Sequence, residues 1–113
     1  MTPTAYGLDL LTHAMTAAGL RHRVIANNIA NVNTPNFKAL EVRFEDELAK
    51  HLDDPTAVKP QVVEAAGPER VDGNTVDLDR ELNALTKNSL LYQAAATVMA
   101  TRLAALRSAV SGR

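Results

Sequence analysis

Apolar residues recur at alternating spacings of three and four at both ends of the chain. Near the N-terminus the positions are Leu8, Leu11, Met15, Ala18, His22, Ile25, Ile29 and Val32, with His22 the polar exception. Near the C-terminus they are Leu78, Leu82, Leu85, Ser89, Tyr92, Ala96, Met99, Leu103, Leu106 and Val110, where only Ser89 is clearly polar. A stripe with a period near 3.5 describes a helix that pairs along a narrow seam rather than sinking into a broad core. The spacing predicts helices over roughly residues 4–33 and 77–111, about 45 and 50 Å long. The forty-odd residues between them are too few to cover two such rods. Each stripe is therefore expected to be buried on the other helix, on another copy, or on both.

Capping residues support both helices. Thr2-Pro3 suits an N-cap followed by proline in the first turn, where a missing N–H is harmless. Asp77 is placed to cap the second helix, with Asp79 and Glu81 at the positive end of its dipole and Gly112 suited to its termination. The middle differs in kind. Glu41 to Leu52 reads as a short helix with Val42 or Phe44, Leu48 and Leu52 on its apolar face. Pro55, Pro60 and Pro68 rule out a continuous helix beyond it. Gln61–Glu64 and Arg70–Val76 fit either a small two-stranded excursion or a mobile loop, with Asp72-Gly73-Asn74 as a turn. The expected fold is mainly α, two long terminal helices paired as a coiled-coil-like hairpin, with a short middle helix and an irregular or small β-hairpin segment. It divides into residues 1–36, 37–76 and 77–113, which together form one structural unit.

The run Ala26 to Ala39 contains five asparagines in ten positions: Asn27, Asn28, Asn31, Asn33 and Asn36. Asparagine weakens helix interiors because its amide competes for main-chain hydrogen bonds. Asn27 and Asn31 share a helical face, where amides can satisfy each other or a neighbouring backbone. Thr34-Pro35 then ends the helix. This reads as a polar joint that orders against a partner, in preference to a simple helix stop.

Composition narrows the function. With 113 residues there is room for one domain, and with no cysteine there are no disulfides, thiolate metal sites or thiol nucleophiles. The net charge of −1 argues against nucleic acid as a partner. Only 4% of the residues are aromatic, which favours close helix packing over a small-molecule pocket. No stretch is apolar enough to span a bilayer, and the N-terminus lacks the pattern of a cleavable signal. Charge is segregated: residues 1–40 carry a net +2, residues 41–81 a net −7, and residues 82–113 a net +4 with no acid. Either the middle is simply solvated, or the ends of one copy attract the middle of another.

Candidate chemistry is sparse. His13, His22 and His51 have no helical pairing that would hold a metal, and His22 reads as a polar interruption that helps set register. Glu41, Glu45, Asp46 and Glu47 read as a solvated face, and the run from Asp72 to Glu81 lacks calcium-loop spacing. Neither a phosphate loop nor a nucleophile with its base is recognisable. No cofactor, small-molecule substrate or catalytic residue is expected.

Ala26, Asn28, Ala30, Asn31, Asn33 and Thr34 match a pattern Ala-x-Asn-x-Ala-Asn-x-Asn-Thr. Around and after it the chain resembles the axial proteins of the bacterial flagellum, a family of rod, hook and hook-associated subunits. Pro35-Asn36-Phe37-Lys38-Ala39, Phe44-Glu45, Asp72 to Glu81, Lys87 to Gln93 and Leu106 to Ala109 resemble the FlgB-type proximal rod family in particular. Phe37 stands where tyrosine is common, and the middle is shorter than usual. The resemblance implies a non-enzymatic subunit of the basal-body rod that crosses the periplasm. Such subunits are exported through the flagellar type III apparatus without signal cleavage and stack helically. Its implied partners are copies of itself, other rod proteins, and the FliE adaptor with the membrane-ring base. The residues expected at the assembly interface are Leu8, Leu11, Met15, Ile25, Asn27, Asn28, Ile29, Asn31, Val32, Asn33, Leu82, Leu85, Tyr92, Met99, Leu103 and Leu106.

Overall fold

The computed structural model describes residues 3–112, the side chains of 3–6 excepted. Two long helices, α1 (Pro3–Ala30) and α3 (Leu78–Ser111), pack against each other. Between them in sequence lie β1 (Leu40–Arg43), α2 (Glu45–Lys50), a single 3-10 turn at Pro55–Ala57, and β2 (Gln61–Glu64). The molecule is elongated, 64 × 27 × 14 Å. The helices run in opposite directions. Asn88 of α3 bonds to the Ala18 carbonyl of α1, and Arg102 lies over Gly7. No helix among the described residues is long and apolar enough to cross a membrane.

The expected caps of α3 are in place. Asp77 accepts a hydrogen bond from the Arg80 N–H at 3.2 Å, and Gly112 closes the helix in the left-handed region at φ 73°. The N-cap expected at Thr2 lies outside the described residues. At its other end α1 stops at Ala30, earlier than the expected residue 33. The chain tightens there into i→i+3 bonds, Val32 N–H to the Ile29 carbonyl and Thr34 N–H to the Asn31 carbonyl.

The middle segment departs from expectation in two ways. Leu40–Arg43 is a strand, so the short helix begins only at Glu45 rather than Glu41. Its antiparallel partner is Gln61–Glu64, with Val42 opposite Val62, so the second strand of the pair is not Arg70–Val76. The physical reason is tertiary. Alternation along β1 sends Val42 inward, and Phe44 just after it is buried too. The main chain of Leu40 is meanwhile tied to α1 by an asparagine described below. A two-stranded ribbon is marginal alone, and here α1 supports it. Ala17, Phe44 and Val58 form the small core, with Leu48 packed on it. Ala39, Val24, Ile25 and Val76 are also buried.

Candidate assembly interface

Two distant stretches meet at the end of α1. Asn74, fully buried, donates its amide hydrogens toward the carbonyls of Asn31 (2.9 Å), Val32 (3.2 Å) and Thr34 (2.8 Å). Its Oδ1 accepts from the Val76 N–H at 2.7 Å. A helix C-terminus leaves carbonyls without intrahelical partners, and this single side chain serves the turn where α1 unwinds. The Arg70 guanidinium bonds to the Val32 and Val76 carbonyls and brings positive charge to the negative end of the helix dipole. Asn36 adopts φ 62°, a left-handed conformation that asparagine tolerates, and its N–H meets the Asp72 carbonyl at 2.9 Å. Gly73 lies against Asn36 at φ 82°, where a side chain would be strained and would also collide with the Asn36 amide. Lys38 bridges the Gly73 carbonyl and Glu69, each at 2.6 Å. Thr75 accepts the Ala39 N–H at 2.8 Å. The asparagine-rich joint and the Asp72–Val76 block thus form one clasp within a single chain.

Asn28 performs a similar task one turn earlier. Its amide donates to the Leu40 carbonyl at 2.7 Å and accepts the Leu40 N–H at 3.0 Å, pairing with the strand as another strand would. The side chain is fully buried. Asn28→Asp would lose the donor and bury a charge beside a carbonyl. We expect it to cost about 3 kcal/mol in urea unfolding of the isolated chain. By contrast Asn27 and Asn31 satisfy each other locally, through the Asn31 amide to the Asn27 carbonyl at 2.8 Å.

The seam between α1 and α3 is built from small and polar side chains. Ala18 is buried on α1, and Glu81 and Asn88 are the buried residues of α3. Asn88 donates to the Ala18 carbonyl at 2.8 Å, while its Oδ1 has no partner among the described residues. Along the α1 stripe Ala18 and Ile25 are buried, Leu8, Leu11, Met15, Ile29 and Val32 are half-buried, and His22 is exposed. The α3 stripe is covered only in part. Leu85 and Met99 are half-buried, whereas Leu82, Tyr92, Leu103 and Leu106 are exposed. Leu90, Leu91 and Val98, off the stripe, are exposed as well. Beyond residue 96, Met99 is the single described side chain of α3 that is not exposed. Asn27 and Asn33 are exposed and Asn31 is half-buried. Of the residues expected at an assembly interface, Ile25 and Asn28 are thus committed to the interior of the chain. The apolar surface left over lies along α3, chiefly at its far end.

One ion pair fixes the middle segment to α1. Arg21 grips Glu45 through both oxygens at 2.8 and 2.7 Å, and reaches the Val42 carbonyl at 3.1 Å. The hydrogen bonds from Arg21 hold the Glu45 carboxyl below its usual value of 4.5. Its folded pKa being the lower one, the pair's contribution is complete above about pH 4.5 and is lost as pH falls through the depressed value. Glu45→Gln should therefore flatten the acid limb of a stability-versus-pH curve measured below pH 5. The effect near neutrality stays below about 1 kcal/mol because the carboxylate is solvated. His13 and His51 each bring Nδ1 to the main-chain carbonyl four residues earlier, at 2.8 and 2.9 Å, and His22 is exposed. Among the described residues no three potential metal ligands converge.

The arrangement offers a clasped helix pair with an apolar outer surface, a scaffold for protein contacts. Comparison with known proteins gives that scaffold a family. Residues 8–38 match the family described as "Flagella basal body rod protein". The flagellar basal body rod protein FlgB of Bacillus subtilis (strain 168) is 31% identical over 117 aligned positions, covering 90% of this chain and 91% of the relative. FlgB of Aeromonas hydrophila is 30% identical, covering 96% and 93%. FlgB of Salmonella typhimurium is 29% identical, covering 88% of each. The matched region in the family comparison contains most of α1 and the asparagine-rich joint, while the full-length relatives extend the likeness through α3. The chain belongs to the FlgB family of flagellar basal body rod proteins.

Proposed function

We propose that this chain is a structural subunit of the proximal rod of the bacterial flagellum, self-assembling helically through α1 and α3 with no catalytic role. The observation that carries the reading is the likeness to FlgB proteins along nine-tenths of the chain. The exposed leucines of α3 support it, because a helix pair that buries alanines and amides while exposing leucines has apolar surface left for neighbours. In the assembled rod α1 and α3 pair in a coiled-coil-like manner, and Leu82, Tyr92, Leu103 and Leu106 pack against adjacent subunits. Half-buried Leu8, Leu11, Met15, Ile29, Val32, Leu85 and Met99 line the same seam. Asn27, Asn31 and Asn33 present amides at its end. The neighbours are copies of this chain, other rod proteins, and the FliE adaptor at the membrane-ring base. The route to the periplasm is the flagellar type III apparatus, without signal cleavage.

Deleting the gene and isolating basal bodies tests the assignment. The expected result is a membrane ring without a rod, a non-swimming strain, and restoration of both by the intact chain. Normal rods in the deletion strain would contradict it.

A further inference from the structure

From Leu82 to Ser111 the α3 helix holds no acid, and its far end carries Arg102 and Arg107 among Leu103, Leu106 and Val110. Leu103 is 49% exposed and Val110 89%. Neither arginine forms an ion pair among the described residues. The opposite combination occurs on the middle segment. Asp46 on α2 is exposed, as are Asp53 and Asp54, which directly follow Leu52, itself 68% exposed. Their acidic neighbours are engaged already, Glu45 with Arg21 and Glu47 with Lys50. Asp46 and Asp53 form no ion pair among the described residues, and Asp54 accepts only the Thr56 hydroxyl at 2.7 Å. One surface is basic around leucines and the other is acidic around a leucine.

These surfaces do not meet within one chain. Arg102 lies level with Gly7, and Arg107 is more than a turn farther out. The α2 helix is held at the level of Arg21, and the turn that follows Asp54 at the level of Ala17. At 1.5 Å per residue the acidic segment is roughly 15 to 28 Å from the two arginines along the axis. That exceeds the screening length of about 8 Å at physiological salt, so mutual attraction across one copy is weak.

We propose that the far end of α3 in one copy docks on the α2 face and following turn of a second copy, with Arg102 and Arg107 toward Asp46, Asp53 and Asp54, and Leu103 and Leu106 toward Leu52. This rests on the rod reading and goes beyond it by naming which surface meets which. It explains why charge is divided so sharply along a chain whose net charge is only −1. It also gives the contact a direction, since one end of each copy engages the flank of the next.

The absence of cysteine makes a direct test possible. Arg107→Cys and Asp53→Cys are introduced together into the chromosomal gene, and basal bodies are oxidised and isolated. The expected product is a disulfide-linked dimer of this chain, absent from either single variant. Basal bodies that contain the doubly substituted chain but yield no such dimer would overturn the docking while leaving the rod assignment standing. Absence of the unaltered chain from basal bodies would remove both. Charge reversal provides a second reading should the cysteine pair disturb assembly. Arg107→Glu and Asp53→Arg should each reduce swimming, and the combination should recover most of it. Failure of the combination to exceed the weaker single variant would count against the docking.

Discussion

Asn74→Ala is expected to destabilise the isolated chain by about 2–3 kcal/mol, among the largest effects of any single side-chain truncation here. The residue is fully buried, and its amide serves three carbonyls at the end of α1 while its oxygen fixes the Val76 N–H. Removing it orphans the Val76 N–H and takes one donor from each carbonyl, leaving them to the Thr34 N–H, the Arg70 guanidinium and the Phe37 N–H. A loss of that size would lower the melting temperature by on the order of 15 °C in a domain this small. Asn31→Ala is the control, because its amide bonds only to near neighbours in sequence, Asn27 and Thr34. That change should cost less than about 1 kcal/mol. Thermal and urea unfolding of both variants separate the two roles. Equal effects would mean that the clasp is not what holds the ends of the middle segment together.

The second expected result concerns assembly rather than stability. Leu103→Gln combined with Leu106→Gln should leave the unfolding free energy of the isolated chain within about 1 kcal/mol, since both side chains are exposed and glutamine is a good helix former. In the cell the same pair should abolish incorporation into basal bodies and reduce swimming to the level of a deletion. Asn74→Ala is thus expected to act on folding, and the leucine pair on the assembly of a folded chain. Immunoblots of whole cells and of isolated basal bodies give both quantities. A chain that is abundant and still incorporated would show that the far end of α3 faces solvent in the rod.

How much of this was legible in the sequence follows from where each signal resides. The long helices were readable because spacing and caps are local: the α3 N-cap at Asp77 and the left-handed Gly112 both fall where their residue types suggested. The strand Leu40–Arg43 was not, because Val42 or Phe44 with Leu48 and Leu52 also reads as the apolar face of a helix. The tie that selects the strand comes from Asn28, twelve residues upstream. Asp72-Gly73-Asn74 was visible as a turn, yet the carbonyls that Asn74 serves belong to residues 31–34. No periodicity connects positions so far apart. The asparagine-rich joint reads as awaiting a partner, and Asn74 and Leu40 of the same chain satisfy much of it. The buried face of α3 was hidden for another reason. Its enclosed side chains, Glu81 and Asn88, are polar, so a search for apolar positions selects the leucines beside them. Several of those leucines are exposed instead, Leu82, Leu103 and Leu106 among them.

The central claim is that the chain builds the base of a rod through its two terminal helices. Density from intact basal bodies tests it most directly. The account predicts repeated copies of the clasped pair at the foot of the rod, with α1 and α3 forming its inner wall and the far end of α3 buried between copies. A rod base built of other chains, or copies joined through the middle segment alone with both helices in solvent, would contradict it.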